Sequence, residues 1–234
     1  MKNAMFILLA LVSMAANVLA DEFSAGEYRI ETDEISGLEI FYDDEPLAVI
    51  KGISGLDKNG KWFGGHMLKS EFQVKNKDGV ILLEYNITID GILHKYVQTI
   101  TLSKEGITVE REVVSAEDIR SLDMTILLSG TLYAGEKAVF LTNTDIRKSI
   151  ELLQEPPAKP LWNPSGMNGR ISRACFSSKG KMVEFAFKSS NWSFSDSRTR
   201  KNPNFTLYRS FSKSDFGIAI AQAFSISVNK ATGQ

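Results

Sequence analysis

The chain has 234 residues, with 27 Lys and Arg against 28 Asp and Glu, for a formal charge of −1. That balance excludes the basic excess a nucleic-acid or other polyanion partner would require. The share of hydrophobic residues, 43%, and of charged residues, 24%, is globular and excludes disorder, while a single cysteine, Cys175, excludes an internal disulfide.

Residues 1–20 place Lys2 before an uncharged apolar run from Ala4 to Ala16 and close on the small-residue site Val18-Leu19-Ala20. This is the layout of a secretory signal, and it predicts cleavage before Asp21 and a secreted or periplasmic protein. The run is too short to span a bilayer, and Asp21 is not an acylatable cysteine. The expected mature chain, 21–234, is one exported β-sandwich domain with no membrane span and no lipid anchor.

From there the sequence counts in twos. Asp43-Asp44-Glu45 reads as the turn of a hairpin joining 38–41 to 47–50. Residues 52–65 read as a glycine-bearing loop that carries Trp62 and ends just before His66. Across 80–90, Ile81, Leu83, Tyr85, Ile87 and Ile89 alternate with Leu82, Glu84, Asn86, Thr88 and Asp90, the mark of a half-buried strand. Asp78-Gly79 and Asp90-Gly91 flank it with hairpin turns. The same period recurs in 68–75, 92–103, 107–114, 122–129, 182–188, 205–211 and 218–228.

No segment after residue 20 keeps a helical apolar period over ten residues or more. About a dozen strands cannot stay in one flat sheet, which predicts an all-β fold: a large antiparallel two-sheet β-sandwich with few short helices, a closed barrel being the second arrangement. Residues 155–166 hold four of the six prolines and read as a long irregular surface loop rather than a linker between domains.

Candidate functional groups are sparse. In 191–200, period two puts Trp192, Phe194, Asp196, Arg198 and Arg200 on one face, joining aromatic and charged groups as a sugar site does; the alternative is a core strand with a salt-bridged end. Trp162 in the proline-rich loop and Trp62 in the glycine-bearing loop extend the list of ligand-binding candidates to Trp62, Trp162, Trp192, Asp196 and Arg198. For catalysis the candidates are His66, and His94 with Tyr96 and Gln98 on one strand face, a row that either lines a cleft or is an ordinary solvent face. Glu110 and Glu184 are the acids that would serve them.

Cys175 lies far in sequence from both histidines and reads as a buried structural thiol. Two separated histidines, one cysteine and the absence of an Asp-rich calcium loop give no metal site, and no cofactor motif is present. The sequons at Asn86, Asn191 and Asn204 are near chance in a chain of this composition.

With its signal, its near-continuous β pattern and the opening hairpin of 37–47, the chain resembles the galactose-mutarotase-like β-supersandwich group. The resemblance implies a carbohydrate ligand. Mutarotases use two histidines and a late glutamate, the first histidine commonly after Asn; here Gly65 precedes His66 and the last glutamate is Glu184, so no catalytic residue carries over. Three functions remain open at this point. One is a noncatalytic exported protein that binds an oligosaccharide, a polysaccharide or another cell-envelope ligand. The others are a small carbohydrate-active enzyme of epimerase or lyase type, and a structural envelope protein.

Overall fold

The computed structural model describes residues 21–33, 37–52, 54–64, 70–77, 79–89, 92–113, 119–162, 164, 167, 169–189, 191–199, 201–212, 214 and 223–230. The expected signal, residues 1–20, and His66 lie outside them. The first half of the chain forms β1 (Asp21–Ala25), β2 (Tyr28–Asp33), β3 (Gly37–Tyr42), β4 (Glu45–Ile50), β5 (Ser54–Asp57), β6 (Trp62–Gly64), β7 (Ser70–Lys77), β8 (Val80–Ile89), β9 (Ile92–Ser103) and β10 (Gly106–Val113). The second half forms β11 (Ile119–Leu128), one turn of helix α1 (Gly130–Tyr133), β12 (Lys137–Thr142), β13 (Arg147–Glu151), β14 (Leu161–Trp162), β15 (Ile171–Ser178), β16 (Lys181–Phe187), β17 (Ser193–Asp196), β18 (Phe205–Ser212) and β19 (Phe224–Lys230).

These strands make two antiparallel sheets. The first runs β1-β2-β3-β4-β11-β18-β17-β14, with the β5–β6 hairpin also attached to β11; the second runs β13-β12-β15-β16-β19-β10-β9-β8-β7. The all-β sandwich expected from period-two patterning is the fold observed. Strands β13 and β15, which flank the proline-rich segment, both pair with β12, so that segment leaves and rejoins one sheet.

Alternation explains the layering. In β11 and β18 every second residue is buried, Leu122, Met124, Ile126 and Leu128 from one strand meeting Phe205, Leu207 and Phe211 from the other. Their side chains join Phe140, Phe176 and Phe185 of the second sheet in one continuous core. Phe176 contacts Phe140, Phe185 and Phe194 at ring-centroid distances of 5.8, 5.9 and 6.0 Å, the tilted and edge-on geometries aromatic quadrupoles favour.

The Asp43-Asp44 turn forms as the sequence predicts, with both aspartates at positive φ (54° and 58°), the geometry that matches strand twist in a two-residue hairpin. Within the expected loop 52–65, residues 54–64 depart from it. They fold into the β5–β6 hairpin because the Asp57 carboxylate accepts the backbone N–H groups of Asn59 and Lys61, both at 2.8 Å, and Gly60 takes φ +81° to close the turn. Strand β19 covers only the second part of the expected 218–228 strand; its first residues lie outside the described set.

Candidate functional site

On the solvent face of the first sheet, β11, β18, β17 and β14 shape an open groove of about 360 Å³. Register assembles it row by row. Trp162 lies opposite Ser195, Ser195 opposite Thr206; Tyr208 lies opposite Thr125; Ser210 lies opposite Asp123. All of these side chains, with Ser197, line the groove. They are the outward halves of strands whose inward halves build the core, so burial of Leu122, Met124, Leu207 and Phe211 is what turns Asp123, Thr125, Tyr208 and Ser210 to solvent.

Trp162 is 59% exposed and stands edge-on to Tyr208 at 5.9 Å and 82°, giving the groove an aromatic wall above a floor of hydroxyls. Serine and threonine hydroxyls both donate and accept, and the Asp123 carboxylate accepts. An indole face beside them offers apolar contact to C–H groups. This combination suits a polyhydroxylated ligand.

What holds Trp162 there is a buried ion pair. Asp196 and Arg198, both sequence candidates for ligand contact, are 3% and 4% exposed and bond each other bidentately, Nε to Oδ1 at 2.8 Å and Nη2 to Oδ2 at 2.9 Å. The Arg198 guanidinium also donates to the carbonyls of Leu153 (2.5 Å), Gln154 (3.3 Å) and Glu155 (3.3 Å) and lies 4.0 Å from the Phe205 ring centroid. It therefore fastens the start of the proline-rich segment to the strand that Trp162 pairs with. Gly130 permits this closeness, since a Cβ there would run into the Pro203 carbonyl and crowd the Arg198 stem.

Trp192 is fully buried, stacked on Phe187 at 4.2 Å and 16° and edge-on to Phe224 at 6.0 Å. Its backbone exchanges hydrogen bonds with Ile171. The shared face of Trp192, Phe194, Asp196 and Arg198 is thus the interior face, the alternative the sequence left open, and it is Ser195 and Ser197 between them that reach the groove. Trp62, 50% exposed, lies on the outward face of the β5–β6 hairpin.

Among the described residues the catalytic candidates do not converge. His94, Tyr96 and Gln98 face the interior of the sandwich, neither solvent nor the groove. The reason is Arg111 on β10, directly opposite Gln98: it donates to Gln98 Oε1 at 2.5 Å and to the Lys51 carbonyl at 2.8 Å, forming a polar layer within the core. Burial raises the Tyr96 phenol above its usual range, against the pull of Arg111.

Glu110 pairs with Lys188 at 3.4 Å and Glu184 with Arg173 at 3.2 Å, both on the second sheet. Cys175 is buried beside Glu184, with Sγ 3.9 Å from Oε2; burial first, then the Glu184 charge, pushes the thiol up to about 11, the reverse of what a nucleophile needs. Among the described residues no cluster of three or more His, Cys, Asp or Glu could hold a metal ion, and no helix is long and apolar enough to cross a membrane.

Sequence reasoning missed the hydroxyl row. The signal was present as Thr206, Tyr208 and Ser210 between Phe205, Leu207 and Phe211, and as Asp123 and Thr125 within 122–129.

No family model matches the chain, and no curated protein matches it by sequence. Solved structures do. A protein of Escherichia coli K12 described as a candidate aldose 1-epimerase superposes with a TM-score of 0.56 at 13% identity, over 90% of this chain and 99% of the other. The Slr1438 protein of Synechocystis sp. PCC 6803 gives 0.60 at 12% identity, over 98% and 100%. A galactose mutarotase related enzyme of Lactobacillus acidophilus gives 0.55 at 10% identity, over 92% and 99%. The fold is galactose-mutarotase-like; at these identities the likeness carries the fold alone.

Proposed function

We propose that the protein is exported and binds carbohydrate without turning it over, through the groove between Trp162, Tyr208 and Asp123. The observation that carries this reading is the exposed Trp162 indole standing over a floor of hydroxyls, held in place by a buried ion pair. Exposed tryptophan is costly to keep on a soluble surface and is frequent where ligands bind. The signal-like residues 1–20 support export. The noncatalytic part rests on His94, Glu110 and Glu184 lying away from the groove.

Tryptophan fluorescence titrated with monosaccharides and neutral or acidic oligosaccharides, with product analysis of the same samples, tests it. A saturable change without product is expected, and Trp162→Ala should weaken binding by at least about tenfold, the loss typical of a truncated aromatic anchor. Unchanged affinity in that variant would remove the assignment.

A second reading, a small carbohydrate-active enzyme, draws on Asp123 and Tyr208 opening into the same groove, where a carboxylate and a phenol can accept and donate protons. It predicts anomer interconversion, visible by NMR, that Asp123→Asn abolishes while binding persists.

A further inference from the structure

The outward face of the first sheet does not end at the groove. Ser54 of β5 lies opposite Asp123, Gly64 of β6 lies opposite Ser54, and Trp62 is two residues before Gly64 on the same strand. Residues directly opposite in antiparallel strands point to one face, as do residues two apart in a strand. Trp62 therefore shares the face of Asp123 and Ser210. Its indole rests over Gly64: a Cβ built there would lie 2.6 Å from Trp62 Cζ2 and 2.9 Å from Ser54 Cβ, so the glycine is the seat of the ring.

Two exposed indoles thus stand at opposite ends of one diagonal. Trp162 aligns through Ser195 and Thr206 with Leu127 of β11, and Trp62 aligns through Leu56 with Ser121. They are five strand spacings and six residues apart, which along the sheet is roughly 30 Å. Between them the outward side chains are mainly hydroxyls, with one carboxylate, Asp123, and one ammonium, Lys51, exposed where β4 leads past Thr125; the exposed Arg120 guanidinium stands at the Gly60 turn of the β5–β6 hairpin. So few cations, set far apart, do not match the repeated carboxylates of a polyuronate.

We infer that this face binds a linear neutral oligosaccharide several residues long, running from Trp162 across Tyr208 and Asp123 to Trp62. The inference rests on the carbohydrate reading above and adds chain length, neutrality and a second aromatic contact. Two contacts on one ligand act at high effective concentration, so affinity rises with chain length until the ligand reaches Trp62 and then levels off.

Calorimetric titration with cello-, xylo-, malto- and chito-oligosaccharides, each from the monosaccharide to the hexasaccharide, and with oligogalacturonates of the same lengths, tests the inference. In at least one neutral series the affinity should increase tenfold or more with length. Trp62→Ala should abolish that increase and leave the shortest binding ligand unaffected, Trp62→Phe should restore most of it, and Gly64→Val, which unseats the ring without deleting it, should mimic Trp62→Ala. Trp62 is at the surface, so these variants are expected to keep the wild-type unfolding midpoint. Affinity independent of length, a silent Trp62→Ala, or a preference for oligogalacturonates overturns the inference and leaves the carbohydrate reading standing. Failure of every sugar to bind the unaltered protein overturns both.

Discussion

Arg198 and Arg111 are both buried between the sheets, 4% and 2% exposed, and they differ in what neutralises them. Arg198 meets the Asp196 carboxylate through two nitrogens and spends its remaining donors on three carbonyls of 153–155. Arg111 has no carboxylate among the described residues; it leans on Gln98 and the Lys51 carbonyl, and its Nη1 is left without a hydrogen bond. The first arrangement ties a loop to a strand. The second reaches from β10 of one sheet to the Lys51 carbonyl beside β11 of the other, joining sheets that a continuous apolar core already holds together, and it lies beside Tyr96, whose ring is 5.8 Å from the guanidinium. A buried charge contributes positioning when its partners come from two elements that would otherwise part.

The comparison can be broken most visibly at Asp196. Asp196→Ala strands the Arg198 charge in the core, and unfolding in urea should show a loss of about 3–5 kcal/mol. The variant should also weaken sugar binding, because the segment bearing Trp162 is no longer fastened. Arg111→Leu should cost less, roughly 1–3 kcal/mol, since removing the charge relieves its desolvation while leaving Gln98 Oε1 and the Lys51 carbonyl unpaired. It should leave ligand affinity unchanged. If Arg111→Leu proves the more damaging variant, or disturbs binding, the distinction between the two arginines is wrong.

Cys175 sharpens the same point with a group that is neutral when buried. Its thiol titrates near 11 in the folded protein against 9.0 for the unperturbed group, so the folded state holds its proton more tightly than the unfolded chain does. The associated stability is fully present below about pH 9 and is lost as pH rises toward about 11. Urea midpoints should fall across that interval, and Cys175→Ala should flatten the part of the fall that belongs to the thiol. Alkylation of the folded protein at neutral pH should be slow for the same reason.

How far the sequence carried is clearest on single strands. The 92–103 strand is read from period two with its observed ends, and the Asp43-Asp44 turn from its residue types, because both depend on local backbone chemistry. The face of each strand that turns inward is a tertiary property. Trp192, Asp196 and Arg198 share a face as the spacing says, but only the Leu153, Gln154 and Glu155 carbonyls, more than forty residues away in sequence, make the interior habitable for Arg198. His94 and Tyr96 go inward beside Arg111 from the next strand. The groove was hard to see because it is built of serines and threonines, residues that on one strand read as an ordinary wet surface and become a site only when four strands set them side by side.

Strand β14 has two residues, and Pro160 precedes it directly, Pro164 follows two residues on, and Pro156 and Pro157 lie just upstream. Proline carries no N–H, so the rim of the first sheet offers an incoming chain almost no ladder to climb. At the far rim of the second sheet, β13 presents exposed Arg147 and Lys148, whose charges repel a copy of themselves. The segment that brings Trp162 to the groove thus also guards one rim against fibril-like stacking, a hazard for any sandwich while its strands are still unpaired.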